Sequence, residues 1–470
     1  MRRNVERELK LVPDEEFQLA DFGEPLPPRV FVSTYHDTRD LRLAQHGITL
    51  RNRVEDGTRL WQLKIPSGVS RVELELAGTP ARPPAEMTDL LVVHLRGEQP
   101  LVKVARLRTR RQVVRKDGAE IVEDAVAVFE ARRVTRRFRE IEVELLDGDE
   151  RTLRSLERAL RRAGATAGTF TPKLYRALDL SFDREPSRIP PEATPGEALG
   201  LALLQQHRSL LGHDPGTRLG ADPEDLHQMR VATRRARAFL RAARALVEPR
   251  WGEHLRGELG WLGTALGPAR DADVLLEHVC GEVDSLGSTG EHAHGLVIAL
   301  EEQRDRARES AVAALLEPRY FGLLDALESA GRPPLADGPG ATLSELWWKE
   351  LGRTRRAFSV LDRRSTDAAL HAARIRAKRA RYAAELAAHE LGKPGERFVD
   401  AAKKLQDVLG EHQDSTVAEA WILEWSRANP GAEDAVAALL ERERRRRKKA
   451  RRAWPEVWER LERRSRDARP

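Results

Sequence analysis

Acidic and basic residues alternate near the start of the chain, in the stretch "VERELKL". Glu6, Glu8 and Lys10 are two residues apart, and a β-strand directs side chains with that spacing to one side of its sheet. Neighbouring carboxylates repel each other and need a counter-charge from protons, basic side chains or a cation. A polar outer face would explain a single pair of this kind. A space lined by several such strands would instead hold hard divalent cations such as Mg²⁺ or Mn²⁺ on its oxygens.

The same pattern recurs much later in the chain, and basic residues occupy strand-like segments between the two. "REIEVEL" places three carboxylates on one face: Glu140, Glu142 and Glu144. The basic residues of the intervening segments are Arg51 with Arg53, Arg106 with Arg108 and Arg110, Lys64 in "WQLKI" and, later, Lys173 in "TPKLYRAL". Carboxylates for cations beside side chains for phosphate indicate a metal-dependent phosphate site. Zinc, phosphate-loop and dinucleotide sites lack support, because no His/Cys cluster with zinc spacing, no GxxxxGK[ST] and no GxGxxG segment occurs.

The second half of the chain contains an internal duplication. The stretch "HQMRVATRRARAFLR" (227–241) recurs as "HAARIRAKRARYAAE" (371–385), and "LGWLGTALGPARDADV" (259–274) matches "AKKLQDVLGEHQDSTV" (402–417). Both blocks are displaced by nearly the same number of residues. We therefore predict two copies of one helical unit that pack about a pseudo-twofold axis.

Basic residues form a narrow stripe in each copy. On an α-helix they fall within an arc of about 80°. The stripe residues are His227, Arg230, Arg234, Arg237 and Arg241 in the first copy and His371, Arg374, Lys378 and Arg381 in the second. The first stripe has no acidic residue at helical spacing, so its charges repel one another. A solvated face explains a single basic helix, but a duplicated stripe headed by histidine favours anion binding.

The composition narrows the choice of anion. Aromatic residues make up 5% of the chain, and Tyr382 is the one that the stripes carry, whereas single-strand nucleic-acid binders interleave aromatics for base stacking. No helix-turn-helix, zinc-finger or RNA-recognition signature occurs either, so nucleic acid is disfavoured. A charged polymer without bases fits better. Inorganic polyphosphate is such a polymer, and arginine forks can grip its oxygens in pairs.

Length and patterning predict how these residues are positioned. A chain of 470 residues is long enough for two or three domains. Up to about residue 180, polar and apolar residues alternate with the period of two that is typical of β-strands. The proline-rich stretch "DREPSRIPPEATPGE" (183–197) is typical of a linker. The residues after it show the periodicity of α-helices. Capping boxes at Thr194–Glu197 and Thr342–Glu345 mark two helix starts. We expect an α+β protein with these parts: a β-domain at 1–182, a linker at 183–193 and an all-α domain at 194–465 with repeats at about 194–335 and 342–465.

The first half resembles the CYTH domain of the triphosphate tunnel metalloenzymes. The resemblance rests on ExExK followed in order by "YHDTRDLRLAQHGITLRNR" (35–53), "WQLK", "RVELEL", the basic strand around Arg110, Asp124 and "EIEVEL". It implies an eight-stranded antiparallel tunnel that binds a triphosphate chain with Mg²⁺ or Mn²⁺. By position, the implied metal carboxylates are Glu6, Glu8, Glu142 and Glu144; the catalytic residues are Glu6, Glu8, Lys10 and Asp124; and the phosphate ligands are Arg51, Arg53, Lys64, Arg110 and Lys173. Asp124 would support a second metal or the attacking water. Arg108 and Arg111 compete with Arg110 for its position, and Glu73 and Glu75 are secondary candidates.

The duplicated half resembles the CHAD domain. HxxRVxxRRxRAxLR (227–241), LGxxRDxDV (266–274), HxxRIxxKRxRY (371–382) and LQxxLGxxxD (405–414) carry this resemblance, which covers about residues 192–465. It implies a helical, pseudo-symmetric domain whose basic face binds polyphosphate. The positions implied are His227, Arg230, Arg234, Arg237, His371, Arg374, Lys378 and Arg381. Gln413 in the second copy replaces Arg270 of the first.

Together these features predict a metal-dependent phosphoanhydride hydrolase that acts on inorganic tripolyphosphate and binds inorganic polyphosphate. The alternatives are a polyphosphate-binding scaffold with weak catalysis, or an enzyme that hydrolyses thiamine triphosphate or hydrolyses or cyclises ATP. Cys280 is the only cysteine, which excludes an internal disulfide and fits a reducing compartment. No apolar run reaches membrane-spanning length, so we expect a cytoplasmic protein, associated with polyphosphate granules, with no membrane partner. The sequence does not predict the oligomeric state.

Overall fold

The computed structural model describes residues 2–6, 8–67, 70–79, 82–96, 100–146, 150–168, 172–181, 189–287, 293–337 and 340–469; within these ranges the side chains of residues 2–6, 8, 67, 70, 71 and 150 are not described. The chain divides into two compact units. One comprises Met1–Arg184 with Leu211–Leu219, and the other Glu185–Leu210 with Gly220–Pro470.

The first unit is built on one antiparallel sheet. Its strands are β1 (Arg2–Glu6), β2 (Glu8–Pro13), β3 (Glu24–Pro25), β4 (Arg29–Asp37), β5 (Thr49–Glu55), β6 (Thr58–Ser67), β7 (Ser70–Ala77), β8 (Val102–Lys116), β9 (Ala119–Glu130), β10 (Arg133–Leu145) and β11 (Ala165–Ala167). The helices are α1 (Arg42–Gln45), α2 (Ala85–Thr88), α3 (Glu150–Arg162) and α4 (Lys173–Leu178), with 3₁₀ turns at Leu19–Phe22 and Asp89–Leu91.

The strand order closes the sheet into a tunnel. The order is β1-β7-β6-β5-β4-β8-β9-β10-β2-β11, and β3 pairs with β8 beside this path. β1 and β2 are consecutive in the chain, yet β1 pairs with β7 and β2 with β10, so the amino-terminal segment joins both ends of the sheet. Eleven strands therefore replace the expected eight in the described residues. The difference arises because one long segment is split into β1 and β2, and because β3 and β11 are short additions.

The two faces of the sheet differ sharply in polarity. The apolar face packs under the short helices: Leu50 and Leu63 contact Met87 in one cluster, and Ile141 lies with Leu160 of α3 in another. The opposite face carries a set of charged residues that includes Arg51, Lys64, Arg111, Asp124 and Glu142, and is called the charged face below. Because paired strand residues share a face, the ladder alone places these charges on one surface of the sheet.

The second unit consists of helices. They are α5 (Pro195–Leu219), of which Leu211–Leu219 belongs to the first unit, α6 (Pro223–Ala242), α7 (Pro249–Asp284), α8 (His294–Ala314), α9 (Pro318–Ser329), α10 (Leu343–Phe358), α11 (Asp367–Leu386), α12 (Ala388–Ala428) and α13 (Glu433–Asp467). The capping box at the start of α10 is confirmed, with the Thr342 hydroxyl accepting from the Glu345 N–H. The box at the start of α5 is also confirmed. No helix in the described part of the chain combines the length and apolarity needed to cross a bilayer.

Both basic stripes lie on helices, as predicted. α6 carries the first stripe and packs on α7, whereas α11 carries the second and packs on α12. α6 and α11 also pack on each other. The two copies therefore meet through the helices that bear the stripes.

Candidate active site and anion-binding face

Three buried carboxylates cluster on the charged face of the sheet. Asp124 of β9 is the register partner of Glu140 of β10, and Glu142 follows two residues later on the same face. One oxygen from each lies within 4.8 Å of the others. Asp124 is 0% exposed, and the two glutamates are also buried. Ionised carboxylates in this position require compensating charge or cations.

Lys173, the first residue of α4, supplies much of that charge. Its Nζ lies 3.1 Å from Asp124 Oδ2, 2.5 Å from Glu140 Oε1 and 2.9 Å from Glu142 Oε1. Lys10 of β2 places its own Nζ 2.9 Å from the same oxygen of Glu142. The two lysines thus bring α4 and β2 to the carboxylate cluster.

Arg111 of β8 completes the cluster. Its Nε donates to Asp124 Oδ1 at 2.9 Å and its Nη2 donates to Oδ2 at 2.7 Å, a fork in which both carboxylate oxygens accept. The same Nη2 lies 3.3 Å from Glu142 Oε2. Arg110, the residue we expected here, is exposed on the opposite face, because successive strand residues point to opposite sides. Arg108 and Arg106 share that exposed face.

These groups hold one another in their charged forms. Burial alone would raise the pKa of Glu142, but the charges of Lys173 and Lys10 outweigh burial and hold that pKa well below its ordinary value. Burial likewise opposes ionisation of Asp124, yet Lys173 and Arg111 lower its pKa. Burial would lower the pKa of Lys173, whereas Glu142 and Asp124 raise it well above the usual range.

Further cations lie on the charged face in β5 and β6. Arg51 donates from Nε to Gln62 Oε1 at 2.7 Å and from Nη1 to the Tyr35 hydroxyl at 3.2 Å. Lys64 lies 3.6 Å from Glu73 Oε1. The register pairs Arg51 with Gln62 across β5 and β6, so both residues share the face of the carboxylate cluster.

Phe31 of β4 lies near two guanidinium groups. The Arg53 guanidinium carbon is 3.8 Å from the ring centre, and that of Arg111 is 5.5 Å from it. Arg53 also forms an ion pair with Glu55. Each guanidinium gains a cation–π contact with the ring, and the two cations still repel each other, since burial first and then the charges of Arg51 and Arg111 lower the pKa of Arg53.

The remaining expected metal carboxylates are placed by register. Glu144 is half-buried and pairs with Glu8 in the β10–β2 ladder, while Glu6 pairs with Arg71 in the β1–β7 ladder. The side chains of Glu6 and Glu8 lie outside the described residues, so their roles stay predictions. Of the expected site residues, Lys10, Asp124, Glu142 and Lys173 therefore lie in one network of ion pairs.

One member of the network, Glu140, was not among the expected site residues, and another was only a secondary candidate. Glu140 lies in the cluster, and its Oε2 accepts from Arg176 Nη1 at 3.1 Å. Glu140 is two residues before Glu142 and shares its strand face, and this spacing is the sequence feature that could have identified it. Glu75, a secondary candidate, accepts from the Gln62 side chain, which links it to Arg51.

The donor set suits a hard divalent cation. Asp124, Glu140 and Glu142 offer only oxygen atoms, they are close together, and at least two of them are held ionised. Mg²⁺ and Mn²⁺ prefer such ligands. A cation bound there would supply positive charge beside an anionic substrate, the charge that the Lys173 ammonium provides in this structure.

On the helical unit, the first stripe is anchored at Arg230. Its Nη1 donates to the Gly263 carbonyl of α7 at 3.0 Å, and its Nη2 lies 3.3 Å from Asp271 Oδ1. His227 is half-buried, and burial followed by the charge of Arg270 lowers its pKa. The His227 side chain on this face is therefore mostly neutral near pH 7.

The second stripe repeats the arrangement and meets the first. Burial lowers the pKa of Arg374, opposed by Asp414 and assisted by Arg234 of the other copy. Burial and then the charges of Arg374 and Arg234 lower the pKa of Lys378 from 10.5 to about 7. Arg234 can act on both residues only because α6 and α11 place the stripes side by side.

An arginine off the stripe joins the two copies. Arg235 of α6 places Nε 3.1 Å from Glu385 Oε2 of α11, and Glu385 also lies 3.5 Å from Arg381. Arg237 is exposed at the edge of the first stripe. Among the expected anion ligands, Arg230, Arg234, Arg374 and Lys378 therefore lie near one another on the helical unit.

Comparison with known proteins agrees with this division. The CYTH domain model matches residues 3–175 and the CHAD domain model matches residues 201–423. The uncharacterized protein MT2285 of Mycobacterium tuberculosis is 31% identical over 451 residues, which cover 87% of this chain and 85% of that protein.

The chain belongs to the CYTH–CHAD family. Members of the CYTH family act on phosphoanhydrides, as triphosphatases or cyclases, and depend on metal ions. Two solved structures are also similar to this CYTH–CHAD protein. PptA from Streptomyces chartreusis is 22% identical, with a TM-score of 0.49 over 57% of this chain and 100% of that one. The CHAD domain of Ricinus communis is 27% identical, with a TM-score of 0.47 over 60% of this chain and 96% of that one.

Proposed function

We propose that the tunnel hydrolyses inorganic triphosphate in a metal-dependent reaction and that the basic face of the helical unit binds inorganic polyphosphate. The observation that carries the first half of this proposal is the cluster of Asp124, Glu140 and Glu142, buried and faced by cations on one side of the sheet. A bare oxygen cluster would hold a metal alone. The additional cations give the same surface an affinity for a phosphate chain.

Each residue has a separate role in this proposal. Asp124 and Glu142 would hold the divalent cation, which would supply positive charge to an anionic substrate when bound. Arg51 and Arg53 bind and orient the phosphate chain through their guanidinium N–H groups, and Arg111 and Lys64 add further positive charge. Because both oxygens of Asp124 already accept from Arg111, we assign Asp124 a positioning role in addition to cation binding.

The aromatic residues of the charged face favour a substrate without a base. Phe31 is covered by Arg53 at 3.8 Å, and Tyr35 faces Arg51 at 5.9 Å. Phe138 is covered by the Arg176 guanidinium at 4.2 Å. Phe31 and Tyr35 are also buried, at 2% and 3% exposed, so neither offers an open face on which a nucleobase or a thiamine ring could stack. Inorganic triphosphate requires no such face.

A phosphate-release assay tests the hydrolytic half. The full chain would be given tripolyphosphate, ATP, thiamine triphosphate and long-chain polyphosphate, each with Mg²⁺ or Mn²⁺. We expect the highest kcat/KM with tripolyphosphate and loss of at least a hundredfold in Glu142→Gln. Glu130→Gln, at the exposed end of β9, is the matched control and should retain full activity. Faster turnover of ATP or thiamine triphosphate, or no metal-dependent release, would contradict the assignment.

The binding half rests on the paired stripes of α6 and α11. Long-chain polyphosphate and single-stranded RNA of equal charge would be titrated against the full chain carrying Glu142→Gln, which removes turnover. We expect polyphosphate to bind more tightly, with an affinity that falls as salt rises because counterions are released. Arg374→Gln should weaken this binding about tenfold, the cost of losing one charge-assisted contact. Preference for RNA would overturn this half while leaving the hydrolytic half intact.

A further inference from the structure

A second cluster of metal-ligating side chains lies in the helical unit, outside both sites described above. His278 and Glu282 are four residues apart on α7, and Glu443 reaches them from α13. One ligand atom from each lies within 4.8 Å of the others. Side chains at i and i+4 project from the same face of a helix, which is the spacing that lets one helix supply two ligands to one ion.

Glu443 is the strongest sign that a cation belongs here. The residue is 1% exposed. Its Oε1 lies 2.7 Å from His278 Nε2, while its Oε2 has no hydrogen-bond partner among the described residues. A buried carboxylate with one free oxygen is costly unless a positive charge is near.

The two nearby arginines pair with other carboxylates of the cluster and its rim. Glu282 lies 2.6 Å from Arg446 Nη1 and 3.2 Å from Arg442 Nη1. Arg446 also pairs with Glu411 at 2.8 Å. Glu282, Glu411 and Glu443 are faced by two arginines and by His278. The arginines orient Glu282, as outer partners of metal-bound carboxylates do, and Glu443 Oε2 keeps no hydrogen-bond partner among the described residues.

We propose that His278, Glu282 and Glu443 bind one late first-row divalent ion such as Zn²⁺. An imidazole nitrogen with two carboxylate oxygens matches the ligand preference of Zn²⁺, whereas the tunnel offers oxygens alone. Three protein ligands leave a further coordination position for water or for an oxygen of a bound anion. The ion would fasten α13 to α7.

The site also adjoins the anion-binding face. Asp414 of α12 interacts electrostatically with His278 on one side and with Arg374 and Lys378 on the other. A divalent ion held beside Asp414 would reduce the negative charge that the stripe experiences. We therefore expect metal loading to tighten polyanion binding about two- to threefold.

Zn²⁺ titration against a chromophoric chelator at pH 8 tests the site. The variants are His278→Gln and Glu443→Gln in the full chain, and His254→Gln, an exposed histidine of the same helix, is the matched control. All three variants retain the tunnel, so its metal binding is a constant background. We expect the wild type and His254→Gln to bind one more equivalent than the other two variants.

Equal stoichiometry in all four proteins would overturn the proposal and leave a buried imidazolium–carboxylate pair. Should either variant fail to fold, X-ray absorption of the wild type saturated with Zn²⁺, so that both the tunnel and this site are filled, decides the question. We expect an imidazole nitrogen in the first coordination shell, and a shell of oxygens alone would refute the site. Neither measurement depends on triphosphate hydrolysis or polyphosphate binding, so this proposal can fail independently of the proposed function.

Discussion

The guanidinium of Arg230 lies directly against Gly267, where no other residue would leave it room. A Cβ at Gly267 would stand 2.6 Å from Arg230 Nη1, closer than real contacts allow. The second copy repeats the relationship, with a Cβ at Gly410 standing 3.3 Å from Arg374 Nη2. Each glycine thus lets an arginine of the stripe lie flat on the neighbouring helix.

Replacing Gly267 by alanine should therefore weaken polyphosphate binding without unfolding the protein. The methyl group displaces the Arg230 guanidinium, and one charge-assisted contact of about 1.5–3 kcal/mol is lost, which lowers affinity roughly tenfold or more. Alanine in a helix is intrinsically more stable than glycine by about 1 kcal/mol, so the fold should survive. Gly410→Ala, with its wider contact, should have a smaller effect.

Titration calorimetry at fixed salt would measure both affinities. Gly257→Ala and Gly281→Ala on the same helix are the matched controls, because a Cβ at either position meets nothing within 4 Å. Equal affinity in Gly267→Ala and Gly257→Ala would contradict the packing argument.

The helical half was the more predictable from sequence, because its signals are local. The duplicated stripes and both capping boxes depend on spacing within one helix, and the structure has helices at those positions. The packing of α6 on α11, through pairs such as Arg235 and Glu385, depends on tertiary structure that spacing does not encode.

In the sheet, alternation predicted shared faces but not which face lines the tunnel. Arg110 and Arg111 are adjacent, so one of them had to face inward, and the pattern alone did not decide between them. The register partner Asp124 does decide, since Arg111 lies opposite it across β8 and β9. Contacts such as Lys173 with Glu142 depend on how the sheet closes, which the sequence does not reveal.

Arg111→Gln should abolish most triphosphate hydrolysis, whereas Arg110→Gln should have no effect. Loss of Arg111 leaves the buried Asp124 without its forked partner, which costs on the order of 3–5 kcal/mol of stability. Steady-state kinetics with tripolyphosphate and thermal unfolding would measure the two effects.

A double variant separates stability from function. Arg111→Gln combined with Asp124→Asn removes both charges and should unfold at a higher temperature than Arg111→Gln alone. If Arg110→Gln were the inactive variant, the assignment of faces would be wrong.

Polyanion binding should take up protons through Lys378. Its pKa of about 7 reflects burial and the repulsion of Arg374, Arg234 and Arg381, against the single attraction of Asp414. A bound polyphosphate favours the protonated form, so affinity should rise as pH falls from about 9 to 7, with uptake of up to one proton. Calorimetry in buffers of different ionisation enthalpy measures that uptake.

Lys378→Arg is the matched variant, because arginine stays charged and should bind with little pH dependence over this range. The folding stability of the free protein depends on pH in the opposite direction to the binding affinity. The unfolded state binds the Lys378 proton up to about pH 10.4 while the folded state releases it near 7, so this group raises stability as pH rises between those values. If polyphosphate affinity depended on pH in the same way in wild type and in Lys378→Arg, Lys378 would not be the group that takes up the proton.

Removal of the tunnel ammonium should make the fold dependent on metal. In Lys173→Gln the cluster of Asp124, Glu140 and Glu142 loses its central cation, and three buried carboxylates then repel one another. We expect the melting temperature to fall by several degrees without metal and to recover with millimolar Mn²⁺, because the divalent ion replaces the lost charge. Wild type should gain less from Mn²⁺, since its ammonium competes for the same oxygens.

Lys116→Gln, at the exposed end of β8, serves as the control and should behave as wild type. Equal Mn²⁺ stabilisation of Lys173→Gln and wild type would show that these carboxylates do not bind the metal.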